Sequence, residues 1–175
     1  MNEKMLRLSK TISHALRHQP ETYGLQLDHE GWVAIDELLA ALQQCRSSWR
    51  TVSLVDITTI MAESSKQRFE LRDGKIRAFY GHSTPEKVEK QPQIPPDILY
   101  HGTTPQAAAA IRRAGLQPMN RQYVHLSTDE KTARLVALRR TNQPVILHIA
   151  ALQAHEQGVH FYQGNEDIWL ADPIP

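Results

Sequence analysis

The sequence lacks the features that several common functional sites require. Its single cysteine, Cys45, excludes an internal disulfide and every zinc site that needs two or more thiolates. The eight glycines show neither the G-x-G-x-x-G spacing of a Rossmann fold nor the spacing of a P-loop. The nine histidines include no H-E-x-x-H motif, and no G-x-S-x-G motif is present. We therefore expect no metal site, and we disfavour Rossmann enzymes, P-loop hydrolases and Ser-His-Asp hydrolases.

Long apolar runs and an excess of one charge are also missing. No run approaches the roughly 18 apolar residues that a membrane-spanning helix needs, and the start at Met1–Lys4 lacks a secretory signal. Lys+Arg 20 against Asp+Glu 19 leave a net charge of +1, so bulk charge gives no argument for nucleic-acid or membrane binding. The hydrophobic share of 41% is enough for a packed core. These features predict a soluble, cytoplasmic protein without a membrane partner, and we expect a monomer.

A proline-rich segment divides the chain. Residues 83–96 read STPEKVEKQPQIPP, in which Val88 and Ile94 are the only larger apolar residues. This composition is typical of a semi-rigid, extended linker. We predict a first lobe at residues 1–84, a linker at 85–96 and a second lobe at 97–175.

The first lobe shows helical apolar patterns followed by a hairpin signal. Helices are predicted from about Met5 to a point before Pro20, at Asp36–Cys45 and at Leu54–Glu63. Val55, Ile57, Ile60 and Met61 are expected to form the apolar side of the third helix. Strands predicted at Phe69–Leu71 and Ile76–Ala78 flank Asp73-Gly74, a dipeptide suited to a tight hairpin. This order of elements is that of a winged-helix module, which binds nucleic acid or protein.

The second lobe alternates short strands with helices. Strands are predicted at Ile98–Tyr100, Tyr123–Leu126, Val145–Ile149 and Ile168–Leu170, with a weaker one at Val159–Tyr162. One helix is predicted between the cap Thr104 and the stop signal Gly115. Another is predicted from a capping box at Ser127 and Glu130 to Arg140. The predicted fold class is α+β.

Four short segments together resemble one enzyme family. They are LSKTISHALRHQP at 8–20, SKQRFEL at 65–71, LYHGT at 99–103 and RQYVHLS at 121–127, and GHS stands at 81–83. Each segment alone is a weak signal, but in this order they resemble the RNA 2'-phosphotransferase family, also called tRNA 2'-phosphotransferases. The resemblance implies a winged-helix lobe followed by an ADP-ribosyltransferase-like lobe with a split β-sheet.

The resemblance also implies a reaction with NAD as co-substrate. The internal 2'-phosphate of a tRNA-like RNA is transferred to ADP-ribose through an ADP-ribosylated RNA intermediate. The products are nicotinamide, RNA with a free 2'-hydroxyl and ADP-ribose 1'',2''-cyclic phosphate.

By motif position, the resemblance implies that Arg17, Arg68 and Arg121 hold the phosphate. Guanidinium groups suit this role because they stay charged and present paired donors to phosphate oxygens. His18 beside them is expected to handle a proton in the second step. Without the resemblance, Arg17 and His18 are typical of a helix C-terminus, and the other two arginines are typical of exposed basic residues.

The implied binding residues lie on both lobes. For NAD they are His101, Gly102, Thr103 and Ser127, and His125 is either a core or a site residue. Gly102 has no Cβ, so its backbone is expected to approach the nicotinamide amide. The candidates for RNA contact are Lys66, Arg77 and His82. Where the family pattern RAxQGHS is expected, this chain has RAFYGHS at 77–83, which leaves an RNA-stacking role of Tyr80 open.

Two other functions stay open at this stage. One is an ADP-ribosyltransferase that modifies terminal phosphates of nucleic acids, since the nucleophile is the same group. A protein-modifying relative is disfavoured because Gln163 and Glu166 do not have Q-x-E spacing. The other is a winged-helix regulator with a nucleotide-sensing domain, which the absence of Lys and Arg from Leu54–Glu63 disfavours.

Overall fold

The computed structural model describes residues 2–175, and they divide into two compact units. The first unit ends at Glu89 and the second is Lys90–Pro175. The division lies inside the segment 85–96. Across residues 2–175, no helix is both long and apolar enough to span a membrane.

Backbone hydrogen bonds anchor both parts of this segment. The Glu89 N–H donates to the carbonyl of His29 at 2.7 Å, and Val88 is only 4% exposed in the first unit. The Gln93 N–H donates to the carbonyl of Phe161 at 2.8 Å in the second unit. The segment is therefore hydrogen-bonded to each unit, while most of its residues are exposed to solvent.

Three α-helices precede a hairpin in the first unit, as predicted. The elements are α1 Glu3–Arg17, β1 Val33–Ala34, α2 Ile35–Cys45, α3 Leu54–Glu63, β2 Phe69–Arg72 and β3 Lys75–Ala78. The turn between β2 and β3 has φ of 51° at Asp73 and 72° at Gly74, the left-handed geometry that such hairpins need. The sheet order is β1-β3-β2 with antiparallel pairs, and β1 was not predicted because two residues carry no periodicity.

The apolar stripe of α1 forms the centre of the first core. Leu8, Ile12 and Leu16 are at most 1% exposed, and they pack with residues of α2, α3 and the sheet. On α3, Ile57 and Ile60 are buried, but Val55 is 71% exposed. The prediction that Val55 belongs to the apolar side was wrong, because Val55 is two residues from Ile57 and the helix turns by about 200° between them.

The second unit alternates strands and helices. Its elements are β4 Ile98–Thr103, α4 Pro105–Ala114, β5 Val124–Ser127, α5 Glu130–Ala137, β6 Val145–Ala150, α6 Ala151–Glu156, β7 Phe161–Gln163 and β8 Ile168–Ala171. The predicted start of α4 is confirmed, since the Thr104 side chain accepts from the Ala107 N–H at 3.1 Å. Within residues 2–175, six helices and two antiparallel sheets give the α+β class.

Two predictions about α5 were wrong. The N-cap is Asp129, whose side chain accepts from the Thr132 N–H at 2.8 Å, whereas Ser127 lies inside β5. The helix ends at Ala137 instead of reaching Arg140. A carboxylate at the cap satisfies the free N–H groups better than a residue held in a strand can.

The sheet of the second unit has the order β6-β4-β5-β8-β7 and is nearly divided in its middle. Strand β4 pairs with β6 along all six of its residues, but it meets β5 only at Tyr100 and Ser127. Strand β5 pairs along its full length with β8 instead. The sheet therefore consists of a two-stranded and a three-stranded part that separate beyond one residue pair.

Helix α5 packs closely on β4 because Gly102 has no side chain. A Cβ at Gly102 would lie 1.9 Å from the carbonyl oxygen of Ala133 and 3.2 Å from the Cβ of Ala137. Both alanines are at most 2% exposed. The glycine thus has a packing reason that is independent of any ligand.

Gly102→Ala should destabilise the second unit by about 3 kcal/mol, since backbone atoms must move to admit the methyl group. Gly158→Ala is the matched control, because Gly158 has φ of 101° but nothing within 4 Å of an added Cβ. We expect it to cost about 1 to 2 kcal/mol from backbone strain alone. Urea unfolding followed by circular dichroism measures both. Equal losses would contradict the close α5–β4 packing.

Candidate active site

The C-terminus of α1 presents Arg17 to two other elements of the first unit. Its Nη2 donates to the carbonyl of Arg68 at 3.4 Å, and its guanidinium carbon lies 5.0 Å from the centre of the Tyr80 ring. Its own carbonyl accepts the Ser83 N–H at 2.8 Å. Arg17 is thus held between the start of β2 and the segment that follows β3.

His18 is the C-cap of α1, and a serine holds its ring. The distance between His18 Nδ1 and Ser83 Oγ is 2.8 Å, and the His18 N–H donates to His14 at 3.0 Å. The hydrogen bond at Nδ1 fixes the orientation of the ring, and it thereby also fixes the direction of the other ring nitrogen, Nε2. The sequence reasoning did not assign a role to Ser83, although the GHS segment was a signal for it.

Arg68 is the residue directly before β2, and it contacts the same group of residues. Its Nη1 donates to Ser64 Oγ, and its carbonyl accepts the Phe79 N–H at 3.0 Å as well as the Arg17 contact. Arg68 is half-buried. Hydrogen bonds therefore link Arg17 to the backbone of Arg68 and, through Ser83, to His18, the three predicted phosphate and proton residues of the first unit.

The three residues predicted to contact RNA are held by other residues of the first unit or buried in it. Arg77 forms hydrogen bonds of 2.8 Å and an ion pair of 2.7 Å with Glu70, and it lies 4.4 Å from the centre of the Trp32 ring. His82 is 2% exposed, and the Lys66 carbonyl accepts the hydroxyl of Ser64 at 2.9 Å. These contacts give Arg77 and His82 packing roles, and RNA binding by all three stays a prediction.

Arg121 belongs to the second unit. It is exposed, in a turn closed by the Arg121 N–H donating to the carbonyl of Pro118 at 3.1 Å, just before Tyr123 and β5. Its role in holding phosphate stays a prediction.

In the second unit, the candidate NAD residues lie where β4 and β5 separate. The imidazole of His101 bridges the gap, because its Nδ1 lies 3.0 Å from the carbonyl oxygen of His125. Thr103 ends β4, and Ser127 ends β5 with 4% exposure. Since backbone polar groups between separated strands need other partners, this gap is suited to a ligand rich in hydrogen-bonding groups.

The state of the His101 ring follows from its contacts. Burial lowers the pKa of His101 below its ordinary value, the hydrogen bond to His125 acts the other way, and the charge of Arg140 lowers it further. The ring is therefore neutral at neutral pH. A carbonyl can only accept, so Nδ1 carries the proton and Nε2 is an acceptor. A neutral acceptor of this kind can receive a ligand hydroxyl.

The structure gives His125 and Gly102 surroundings that do not involve a ligand. Val124 and Leu126 are buried in the core, whereas His125 alternates to the other face of β5 and its Nδ1 lies 2.9 Å from the Tyr123 carbonyl. The missing Cβ of Gly102 faces Ala133, so its space is filled by α5. Contacts of both residues with NAD stay predictions.

No cluster of three or more His, Cys, Asp or Glu side chains that could hold a metal ion occurs within residues 2–175. The polar groups of both candidate regions are instead cations, hydroxyls and a neutral imidazole. This donor set suits an anionic, hydroxyl-rich ligand.

Comparison with known proteins agrees with the resemblance. The model of the RNA 2'-phosphotransferase, Tpt1 / KptA family matches residues 3–173. A protein of Acetivibrio thermocellus named "Probable RNA 2'-phosphotransferase" is 49% identical over 169 residues, 97% of this chain and 92% of that protein. One with the same name from Bacillus thuringiensis subsp. konkukian is 50% identical over 168 residues, 96% and 90% of the two chains.

The similarity extends to an archaeal protein. "Probable RNA 2'-phosphotransferase 1" of Archaeoglobus fulgidus is 39% identical over 173 residues, which cover 99% of this chain and 79% of that protein. The region that the family model matches, residues 3–173, extends over both units. The resemblance is therefore confirmed, and this chain belongs to the RNA 2'-phosphotransferase family, whose members are transferases.

Proposed function

We propose that the protein transfers an internal 2'-phosphate of RNA to the ADP-ribose part of NAD. The observation that carries this proposal is the grouping of Arg17, His18 and Arg68 in a chain of this family. The first unit then acts as a winged-helix RNA lobe, in keeping with its helices and hairpin. The second acts as an ADP-ribosyltransferase-like NAD lobe, and its divided sheet supports this assignment.

In the first step, an oxygen of the RNA 2'-phosphate attacks the C1'' carbon of the nicotinamide ribose. The bond from C1'' to nicotinamide breaks, and nicotinamide leaves as a neutral molecule with the electron pair. No proton is needed, so the protein contributes orientation and charge stabilisation. Arg17 and Arg68 hold the phosphate, each charge-assisted bond being worth roughly 1.5 to 3 kcal/mol.

In the second step, the ribose 2''-hydroxyl attacks the phosphorus. The bond between phosphorus and the RNA 2'-oxygen breaks, and the proton lost from the 2''-hydroxyl is balanced by one gained at the RNA oxygen. His18 Nε2 handles this proton, while the arginines stabilise charge that builds up on the phosphoryl oxygens. RNA leaves with a 2'-hydroxyl, together with ADP-ribose 1'',2''-cyclic phosphate.

The gap between β4 and β5 suits NAD as co-substrate. The neutral Nε2 of His101 accepts a ribose hydroxyl, and Thr103 and Ser127 add hydroxyls at the ends of the two strands. Tyr100 pairs with Ser127, so Thr103 lies roughly 10 Å farther along β4, a span that fits an extended dinucleotide better than a compact ligand.

The decisive experiment incubates the protein with NAD and an oligonucleotide that carries one internal 2'-phosphate. Nicotinamide release and the fate of the phosphorus are followed by mass spectrometry. Formation of the cyclic phosphate supports the proposal. A stable ADP-ribose adduct would instead indicate an enzyme that stops after the first step, and no NAD consumption would contradict NAD dependence.

Arg68→Ala should lower the rate of the second step by about 100-fold or more, because charge on phosphorus is then less stabilised. ADP-ribosylated RNA should accumulate, as it should in Arg121→Ala if that residue acts on the same phosphate. Arg7→Ala is the matched control, since Arg7 is an exposed arginine of α1 paired with Glu3. Wild-type turnover in Arg68→Ala would remove Arg68 from the site.

Ser83→Ala should slow breakdown of the same intermediate by roughly three- to tenfold, the worth of one hydrogen bond to the His18 ring. The KM for NAD should not change, because Ser83 orients His18 and binds no substrate. Ser83→Thr should restore the rate, since it keeps the hydroxyl. Single-turnover decay of isolated ADP-ribosylated RNA measures both variants; equal rates in wild type and Ser83→Ala would argue against positioning.

Acid pH should weaken NAD binding through His101. The folded-state pKa of His101 lies below the ordinary 6.5, so the ring is neutral at neutral pH and supports binding and folding. This contribution is lost as the pH falls through the lowered pKa. Isothermal titration of NAD from neutral to acid pH should show this loss in wild type and not in His101→Gln. The same pH dependence in both proteins would exclude His101 as the cause.

A further inference from the structure

A pocket of about 310 Å³ lies beside the candidate phosphate residues of the first unit. It is formed by the end of α3, the approach to β2 and Phe79, and Arg68 lies on its rim. Its volume is at the small end of ligand pockets, which begin at about 300 Å³. It can therefore take one planar ring with part of its attached sugar, and we call it the base pocket.

The wall of the base pocket is apolar and partly exposed. Met61, Leu71 and Phe79 each keep part of their surface open to solvent in the pocket. The Phe79 N–H donates to the carbonyl of Arg68 at 3.0 Å, so the two residues are held opposite each other, and both line the pocket. An aromatic ring beside an arginine is the arrangement on which unpaired bases stack.

The rim of the base pocket carries positive charge. Lys66 and Arg68 are cations, and the carboxylate of Glu70 is neutralised by its 2.7 Å ion pair with Arg77. Positive charge at the rim with an apolar wall beneath it complements a nucleotide, in which a phosphate is joined to an apolar ring face.

A second pocket of about 570 Å³ in the same unit is larger but has the opposite charge. Its lining includes the acidic Glu21, Asp28 and Glu86 against Lys87. Like charge disfavours the approach of an RNA backbone. Charge, not size, therefore selects the base pocket as the RNA subsite.

We propose that the base pocket binds the base of a nucleotide next to the one that carries the 2'-phosphate. That base stacks on Phe79, and Arg68 on the rim serves the phosphate at the same time. The inference rests on the proposed function, because it takes the 2'-phosphate to lie at Arg68. It makes Phe79 a residue that selects substrates with an unstacked neighbouring base.

The test uses six oligonucleotide–protein combinations, two proteins with three oligonucleotides each. Wild type and Phe79→Ala are each titrated with a fluorescent 2'-phosphorylated oligonucleotide that has either normal bases or an abasic site beside the phosphorylated nucleotide. Abasic sites on the 5' and 3' sides are tested separately. Fluorescence anisotropy without NAD measures affinity, so the result does not depend on turnover.

Phe79→Ala should weaken binding of the normal oligonucleotide by roughly 5- to 150-fold, the usual range for loss of one stacked base. An abasic site on one side should weaken wild-type binding by a similar factor. Phe79→Ala with the abasic oligonucleotide should bind little more weakly than either change alone, because both changes remove the same contact between ring and base. Phe79→Trp should keep the affinity, and Val55→Ala, on the exposed side of α3, is the matched control.

Other outcomes would overturn the inference. If wild type bound the normal oligonucleotide and both abasic oligonucleotides with equal affinity, the pocket would belong to another ligand. This comparison uses only the wild-type protein, so it does not depend on whether a variant folds. Losses that simply add would show that Phe79 and the base act separately. Failure of the proposed function is distinct, since it appears as no cyclic phosphate while binding still responds to the base.

Discussion

Arg17 is the residue on which the geometry of the first candidate site depends. Its carbonyl fixes Ser83, its guanidinium reaches the carbonyl of Arg68, and its plane lies against Tyr80. Side chain and backbone of one residue thus connect the end of α1, the start of β2 and the segment after β3. The hydrogen bond from the Arg17 guanidinium to the Arg68 carbonyl links these two residues at one corner of the first unit. In the proposed function, this corner would hold the phosphate of the RNA.

In the second unit, a neutral imidazole supplies a hydrogen bond in the gap between β4 and β5. Separation of β4 from β5 leaves strand backbone without a neighbouring strand, and the His101 imidazole supplies one partner to the carbonyl of His125. The cost of that gap is offset on the other side of β4, where Gly102 admits α5 to close packing. Burial keeps the His101 ring neutral at neutral pH, so the ring offers a hydrogen-bond acceptor in the gap.

Features that depend on local sequence were predicted well. The bounds of α3, the Asp73-Gly74 turn and the Thr104 cap follow from signals within a few residues. Features that depend on contacts distant in the chain were not. Ser83 lies 65 residues from His18, and the reason for Gly102 is a helix that comes later in the chain. Ser127 was mistaken for a cap because a serine before an acidic residue occurs in strands as well as at helix starts.

The nearly balanced charge of the chain limits how RNA can be selected. A net charge of +1 provides little attraction to a duplex backbone, so affinity has to come from a few placed groups. In the proposed function Arg68 contributes twice, since it would donate to the phosphate and it also lines the base pocket. A base can enter that pocket only when it is not stacked in a helix, and unstacking costs a few kcal/mol in duplex RNA. On this proposal, the protein selects a phosphate whose neighbouring base is already free, which is a property of junctions and loops rather than of continuous helices.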